Sequence, residues 1–439
     1  MAAAYTVERR NPIARALGSV VEVGRDLLVR RGMLNGSDVS GEALLAMCKT
    51  LIEHRGEASG LALAEEIAKR LRHLDGESQL LFFESLANDF AVQHEQVIEA
   101  AKQYSDDPSF ENLNHIAKTI EAPRQKLFRR INMAPGGTQT LVAMRGHLLR
   151  ALKDAPHLKP VDADLKHLFI SWFNKGFLNL ERIDWNAPAF VLERIISYEA
   201  VHEINGWDDL RNRLRDDRRC YAFFHPAMPD DPLVFVEVAL TDGVAQSVAP
   251  LLEQDRDSLP AASQNSAIFY SISNCHSGLA GISFGNFLIK QVVQELRQEC
   301  PAIKTFVTLS PVPGFRTWLQ EPEQSELLDA ELTETLRSID SVGAISVLTR
   351  DKLLKLCARY LVKEKYGALA RDPVARFHLG NGASLHRLNW GADLSRKGME
   401  QSMGIMVNYL YNLDKIEINH EAYFDKGVIA ASKTVQKLV

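Results

Sequence analysis

The sequence has few cysteines, no long apolar run and no excess of positive charge. Its five cysteines are scattered along 439 residues without a Cys-x-x-Cys pair. They favour free thiols in a reducing compartment over a disulfide framework or a zinc site. No apolar stretch approaches the roughly 20 residues of a membrane-spanning helix. The formal net charge of -5 gives no basic surplus of the kind that nucleic-acid-binding chains carry, so neither nucleic acid nor a membrane is expected as a partner.

Recognisable targeting signals are also missing. The first residues, MAAAYTVERRNP, contain no apolar core of a secretory signal. The last residues, Gln-Lys-Leu-Val, differ from the peroxisomal signal Ser-Lys-Leu, and no transit segment rich in Arg and Ser is evident. These observations predict a cytoplasmic location, in a bacterium.

Length and patterning predict two domains. A chain of 439 residues with 46% hydrophobic and 24% charged residues is long enough for two packed cores. In residues 1–165 apolar residues recur at helical spacing, as in Leu61–Leu71 and Leu141–Leu152, and alternating strand patterns are absent. We therefore expect an all-helical bundle that assembles chains instead of catalysing, because no cluster of His, Cys or carboxylate residues stands out there. Residues 156–164 are interpreted as a linker.

Residues 166–439 mix strand and helix patterns. The runs Arg218–Phe224 and Leu233–Leu240 flank a proline-rich turn and predict consecutive strands. Another strand-like run begins at Ile268. It is followed by a glycine-rich turn, an amphipathic helix that ends at Cys300, and a strand from Lys304 to Leu309. This order predicts an α+β protein whose second domain has a mixed α/β sheet of the acetyltransferase (GNAT) type. The last helix is expected at Ile429–Leu438.

The turn before the amphipathic helix is a candidate phosphate cradle. Small residues let an anion approach the unpaired N–H groups at the positive end of a helix. The residues are Ala280, Gly281, Ile282, Ser283, Phe284, Gly285 and Asn286. A turn that only packs would explain the same glycines. Gly281 to Gly285 also fits the nucleophile-elbow pattern G-x-S-x-G, but the preceding strand ends about ten residues before Ser283, whereas an elbow follows its strand directly.

Several long segments, in order, resemble malonyl-CoA decarboxylases. The resemblance runs from about Leu168 to the end of the chain and is weaker before it. The segments are FYSIS (269–273), GLAGISFGNFLIKQVVQEL (278–296), FVTLSPVPGF (306–315), DPVARFHLGNGASLHRLNWGAD (372–393) and GIMVNYLY (404–411).

This resemblance implies a fold, a reaction and a set of site residues. It implies a helical domain that supports a homo-oligomer, a dimer or a tetramer, followed by an acetyltransferase-like catalytic domain. Ser310 and His378 match the family's catalytic Ser and His and would contact substrate, Tyr411 matches a tyrosine near them, and the pyrophosphate of coenzyme A would lie on the Ala280–Asn286 turn. The chain departs from the family pattern at Ser283 and His386, where an acidic and an aromatic residue are expected, which leaves substrate orientation open.

The implied reaction turns malonyl-CoA into acetyl-CoA and carbon dioxide through a thioester enolate. Because the thioester accepts the electron pair, no metal or organic cofactor is expected. The enolate carbon then needs a proton. Histidine, with an unperturbed pKa of about 6.5, suits this demand near neutral pH, so His378 is expected to be the donor. Ser310 is expected to hydrogen-bond the malonyl group or to relay a proton.

Three other functions remain open at this point. One is an acyl-CoA-dependent acyltransferase on the same fold. The second is a serine thioesterase that uses Ser283, and the third is an acyl-CoA-sensing protein without catalysis.

Overall fold

The computed structural model describes residues 12–30, 41–254, 256–282, 288–338 and 345–439. They belong to two compact units. The first comprises the described residues up to Asn179 together with those in Phe224–Leu233 and Cys275–Phe284. The second comprises those in Leu180–Phe223, Val234–Asn274 and Gly285–Val439. Within the described ranges, no helix combines the length and the apolar character needed to cross a membrane.

Helices dominate the first unit, as the apolar spacing predicts. Leu63, Ile67, Leu127, Leu141 and Leu148 are all buried on the inward faces of their helices. The helices are α1 (Pro12–Arg30), α2 (Gly41–Glu53), α3 (Glu57–Leu71), α4 (Gly76–Asn88), α5 (His94–Asp106), α6 (Phe110–Thr119), α7 (Pro123–Asn132), α8 (Gly137–Ala151) and α9 (Lys159–Trp172).

The linker predicted at residues 156–164 is wrong. Residues Pro156–Leu158 form a short 3-10 helix, and α9 begins at Lys159. Pro160 lies in the first turn of α9, where a missing N–H costs nothing. Asp164 is also bound from α7, since it accepts hydrogen bonds from Arg124 and Gln125. Proline and polar residues thus mark a helix start here. Helix α9 continues through residues 165 and 166, and the two predicted domain limits stay a prediction.

The second unit is built on an eight-stranded mixed sheet, which confirms the predicted fold class. The strand order is β1-β2-β3-β4-β5-β10-β6, with β9 paired to β10. The strands are β1 (Asn179–Ile183), β2 (Arg218–Phe224), β3 (Val234–Thr241), β4 (Ser266–Asn274), β5 (Thr305–Thr308), β6 (Ser310–Pro311), β9 (Ser384–Asn389) and β10 (Met406–Leu410), while β7 (Lys365–Tyr366) and β8 (Leu369–Ala370) pair separately. Strands β2, β3 and β4 run antiparallel, and β4 and β5 are parallel.

Helices follow or connect these strands. They are α10 (Ala189–Tyr198), α11 (Trp207–Arg213), α12 (Ala249–Leu252), α13 (Leu288–Glu299), α14 (Phe315–Leu319), α15 (Ala330–Ser338), α16 (Val347–Lys363), α17 (Pro373–Gly380), α18 (Arg396–Ser402), α19 (Ile416–Lys426) and α20 (Lys433–Gln436). The last helix is shorter than the predicted Ile429–Leu438. Residues 430–432, which the prediction placed in this helix, are extended instead, because Ala430 and Ser432 hydrogen-bond the backbone of Leu385 in β9.

Strands β4 and β5 diverge beside Ser310. Their pairing extends only to Phe269 and Thr308, although β4 continues to Asn274. On its other side the chain stays paired with β10, which lies opposite Val307 through Leu410 and opposite Ser310 through Val407. Pro311 has no N–H and cannot extend a ladder toward β4. The sheet therefore opens at the residue that the family resemblance marks as catalytic.

Candidate active site

Ser310, His378 and Tyr411 form one hydrogen-bonded chain in the second unit. The Ser310 Oγ lies 3.0 Å from His378 Nε2, and His378 Nδ1 lies 2.9 Å from the Tyr411 hydroxyl. All three residues are buried. They come from three separate parts of the sequence, so the fold brings together the three residues predicted to be catalytic.

Ser310 is held at the point where β5 ends. Its hydroxyl donates to Thr308 Oγ1 over 2.8 Å, and the same Thr308 oxygen accepts the N–H of Tyr409 over 3.2 Å. The side chain of Asn408 donates to the Thr308 carbonyl over 2.8 Å. The neighbouring strand β10 thereby fixes Thr308, and Thr308 fixes the serine hydroxyl.

His378 is presented by the short helix α17, which begins at a buried aspartate. Asp372 caps this helix by accepting the N–H groups of Val374 and Ala375 over 3.0 and 2.9 Å. Its second oxygen lies 3.4 Å from the N–H of Gly314, in the turn that follows Ser310. One carboxylate therefore ties the helix that carries the histidine to the turn that follows the serine.

The hydrogen bonds of the chain have a preferred direction. Because the Ser310 hydrogen goes to Thr308, its oxygen accepts from Nε2–H of His378, and Nδ1 is then the acceptor for the Tyr411 hydroxyl. This tautomer, which follows from the pairing, leaves no ring nitrogen without a partner. The order of donors is Tyr411, His378, Ser310.

Burial determines the ionisation of His378 and Tyr411. It lowers the pKa of His378 to about 3, and the ring of Tyr409 stacks on the imidazole at a centroid distance of 4.6 Å. Burial also raises the pKa of Tyr411 well above its usual value. The unperturbed pKa of about 6.5, on which the expected donor role rests, therefore does not apply to His378. The imidazole is neutral at pH 7 and works as a hydrogen-bond donor and acceptor.

The predicted phosphate cradle is described only in its first part. Ala280, Gly281 and Ile282 follow the 3-10 helix Ser277–Leu279, and Gly281 has a φ of 73°, which suits glycine. The Nζ atom of Lys166 lies 3.6 Å from the position of a Cβ on Gly281, so a cation stands beside this turn. The other predicted cradle residues, Ser283, Phe284, Gly285 and Asn286, lie outside the described residues.

The structure also bears on the nucleophile elbow. Strand β4 ends at Asn274, and a 3-10 helix follows it before residue 283 is reached. A nucleophile elbow requires its serine on the turn directly after a strand, so this arrangement does not fit the motif. His386, the second departure from the family pattern, lies in β9 and is half-buried.

Sequence reasoning missed Thr308 and Asp372 as supports of the site. Thr308 reads as an ordinary strand residue, and its role depends on contacts with β10 that no local pattern shows. Asp372 had a local signal, since Asp before Pro at a helix start is a capping pattern. Among the described residues, no group of three or more His, Cys, Asp or Glu side chains is placed to hold a metal ion.

Comparisons with known proteins identify the family. Residues 176–439 match the family model described as the malonyl-CoA decarboxylase C-terminal domain, and residues 90–173 match the malonyl-CoA decarboxylase N-terminal domain. The mitochondrial malonyl-CoA decarboxylase of Anser anser anser is 37% identical over 396 residues, which cover 81% of this chain and 78% of that protein.

Solved structures give the same result. A malonyl-CoA decarboxylase from Rhodopseudomonas palustris is 49% identical with a TM-score of 0.86, covering 91% of this chain and 99% of that one. A malonyl-CoA decarboxylase from Cupriavidus metallidurans is 36% identical with a TM-score of 0.72, at 91% and 99% coverage. The similarity extends over both family models and most of the fold, and the chain belongs to the malonyl-CoA decarboxylase family.

Proposed function

We propose that the chain is a carboxy-lyase that converts malonyl-CoA to acetyl-CoA and carbon dioxide. The observation that carries this proposal is the Tyr411–His378–Ser310 chain, which ends where β4 and β5 diverge, in a member of the malonyl-CoA decarboxylase family. An acyltransferase would need a group that activates an acceptor amine, and this chain of neutral donors is better suited to protonating a carbanion.

The reaction begins with cleavage of a carbon–carbon bond. The bond between the carboxylate carbon and the adjacent malonyl carbon breaks, and its electron pair moves into the thioester carbonyl. Carbon dioxide leaves, and an enolate remains. A hydrogen-bond donor that faces the developing negative charge lowers the barrier to this step. Ser310 supplies that donor when its hydroxyl turns from Thr308 to the substrate, while His378 Nε2–H keeps its bond to the serine oxygen.

The enolate carbon then takes a proton. Because His378 is neutral, it cannot act as an imidazolium acid, and the proton comes from the Ser310 hydroxyl. The Nε2 proton of His378 moves onto the serine oxygen, and the Tyr411 hydroxyl proton moves onto Nδ1. A thioester enolate is a stronger base than a phenolate, so the transfer runs downhill, and solvent returns the proton to Tyr411 afterwards. No metal or organic cofactor takes part, and coenzyme A enters only as part of the substrate.

The proposal assigns the coenzyme A pyrophosphate to the Ala280–Asn286 turn. The left-handed glycine at 281 and the ammonium of Lys166 beside it support this assignment. Binding energy from this remote end of the substrate holds the malonyl group at the site, so free malonate is expected to be a poor substrate.

We also propose a cytoplasmic homo-oligomer, a dimer or a tetramer, assembled through the helical region. Helix α6 supports it, because it buries none of its residues and leaves Phe110 and Leu113 76% and 49% exposed. The double change Phe110→Ser and Leu113→Ser is expected to lower the mass of the full-length protein measured by light scattering. An unchanged mass argues against α6 as the assembly surface. The bacterial sources of the similar solved proteins support the location.

Incubation with malonyl-CoA followed by mass analysis tests the function. Acetyl-CoA and carbon dioxide in equal amounts support decarboxylation. Free malonate and coenzyme A identify a thioesterase, and a malonylated amine that forms only when an acceptor is added identifies an acyltransferase. Binding measured by calorimetry without any product identifies a sensing protein, and each of these three outcomes overturns the proposal.

A further inference from the structure

The segment 277–282, which leads into and begins the proposed coenzyme A turn, packs directly on helix α8 within the first unit. A Cβ on Gly278 would lie 1.8 Å from the carbonyl oxygen of Val142, and a Cβ on Gly146 would lie 2.8 Å from the Ser277 hydroxyl. Real Cβ atoms do not approach this closely, so two glycines let the turn and the helix meet backbone to backbone. The helical region therefore does more than pack on itself.

One buried arginine on α8 binds this turn. Arg145 is 2% exposed, and its Nη1 donates to the carbonyls of Gly278 and Ala280 over 2.6 and 2.9 Å. Its Nε donates to Asp162 of α9 over 2.7 Å, and its guanidinium lies 5.9 Å from the ring centre of Phe169. The ion pair and the ring fix the guanidinium, and the guanidinium fixes the carbonyl of Ala280 in the turn and the carbonyl of Gly278 just before it.

The hydrogen bond from Arg145 to the Ala280 carbonyl also orients the N–H group of Gly281. The peptide group is planar and trans, so the carbonyl of Ala280 and the N–H of Gly281 point in opposite directions. Because Arg145 binds the Ala280 oxygen, the N–H of Gly281 points away from Arg145. Gly281 is the residue with the left-handed backbone beside Lys166.

We infer that Arg145 is a positioning residue for coenzyme A binding, acting from the helical region through the carbonyls of Gly278 and Ala280. This inference rests on the proposed function, since it presumes that the turn binds the coenzyme A pyrophosphate. Arg145 itself touches no substrate. It holds the backbone in the conformation that presents the Gly281 N–H to an anion.

A second buried arginine offers a matched control. Arg124 donates its Nε to Asp164 of the same helix α9 over 2.6 Å and its Nη1 to the carbonyl of Leu86 over 3.1 Å. It therefore has the same kind of ion pair and the same kind of backbone bond as Arg145. Of these two arginines, Arg145 alone binds the carbonyls of Gly278 and Ala280.

The test compares full-length Arg145→Lys with full-length Arg124→Lys. Lysine keeps the charge but loses the planar fork that serves several acceptors at once. Arg145→Lys is expected to weaken the binding of coenzyme A in calorimetry and to raise KM for malonyl-CoA, each about tenfold, with kcat little changed. Arg124→Lys is expected to lower the melting temperature without changing either constant.

A second pair of variants guards against a folding defect. The variant Asp162→Asn removes the charge that fixes Arg145, and Asp164→Asn removes the charge that fixes Arg124. We expect Asp162→Asn to raise KM for malonyl-CoA more than Asp164→Asn does. Amide hydrogen exchange supplies a direct readout, in which Arg145→Lys speeds exchange at residues 279–282 and Arg124→Lys does not.

The inference is overturned if folded Arg145→Lys binds coenzyme A as the parent does, or if both lysine variants change KM equally. Failure of the proposed function looks different, because the parent protein itself would then form no acetyl-CoA and carbon dioxide from malonyl-CoA, whatever the arginine variants do.

Discussion

Removing the hydroxyl of Tyr411 tests the proton relay directly. In Tyr411→Phe the ring stays in place, but His378 Nδ1 loses the partner that lies 2.9 Å away. A change of tautomer cannot repair this loss, because either Nδ1 or Nδ1–H would then be buried without a partner. The imidazole is 3% exposed, so water is a poor substitute.

The expected magnitude follows from the cost of a buried polar group without a hydrogen bond. That cost is about 1–3 kcal/mol. In the transition state, His378 has given up its Nε2 proton and needs one at Nδ1. If the cost of the missing hydrogen bond raises the energy of this state, kcat falls by about 5- to 150-fold. Coenzyme A affinity should stay unchanged, because the phenol lies in the reacting part of the proposed mechanism and not at the turn.

The assay is steady-state decarboxylation with calorimetry of coenzyme A on the same preparations. Tyr423→Phe is the matched control, since the buried Tyr423 hydroxyl accepts the N–H of Ala370 over 2.8 Å and has no described bond to His378. Both variants should lose some thermal stability, but only Tyr411→Phe should lose kcat. If folded Tyr411→Phe turns over within about twofold of the parent, the hydroxyl is structural and the relay is wrong.

Four further predictions concern the same site. His378→Asn should lower kcat by at least about 10²-fold with nearly unchanged coenzyme A affinity, and turnover within a few-fold of the parent would make the histidine structural. Ser310→Ala should lower kcat with a smaller effect on binding, measured in the same assays; an effect on binding alone would contradict its role as donor. Asp372→Ala should lower the free energy of unfolding by about 1–3 kcal/mol and also kcat, since the N–H groups of α17 and Gly314 lose their acceptor; denaturant titration checks the first and kinetics the second. Acid should destabilise the fold through His378, because the pKa of its imidazole is about 3 when folded and about 6.5 when unfolded. The stability contributed by the neutral imidazole is fully present above pH 6.5 and is lost as the pH falls toward 3. The melting temperature of His378→Asn should therefore depend less on pH in that window.

Local patterns in the sequence determined much of the architecture. The helices of the first unit follow from apolar residues repeated three and four positions apart, because that spacing places them on one buried face. The strands on either side of the proline-rich turn and the strand–turn–helix–strand order follow from equally local signals. The long motifs of the family placed Ser310, His378 and Tyr411 on the list of site residues.

Only the tertiary structure decided how those residues are arranged and ionised. The pKa of His378 departs from 6.5 because burial penalises the charged imidazole, and burial depends on elements far apart in the chain. Residues 430–432 are extended, although their composition suits a helix, because β9 offers hydrogen-bond partners. Arg145 reaches carbonyls 133 and 135 positions away. A local pattern carries no record of such partners, since hydrogen bonds between distant segments exist only after the chain has folded.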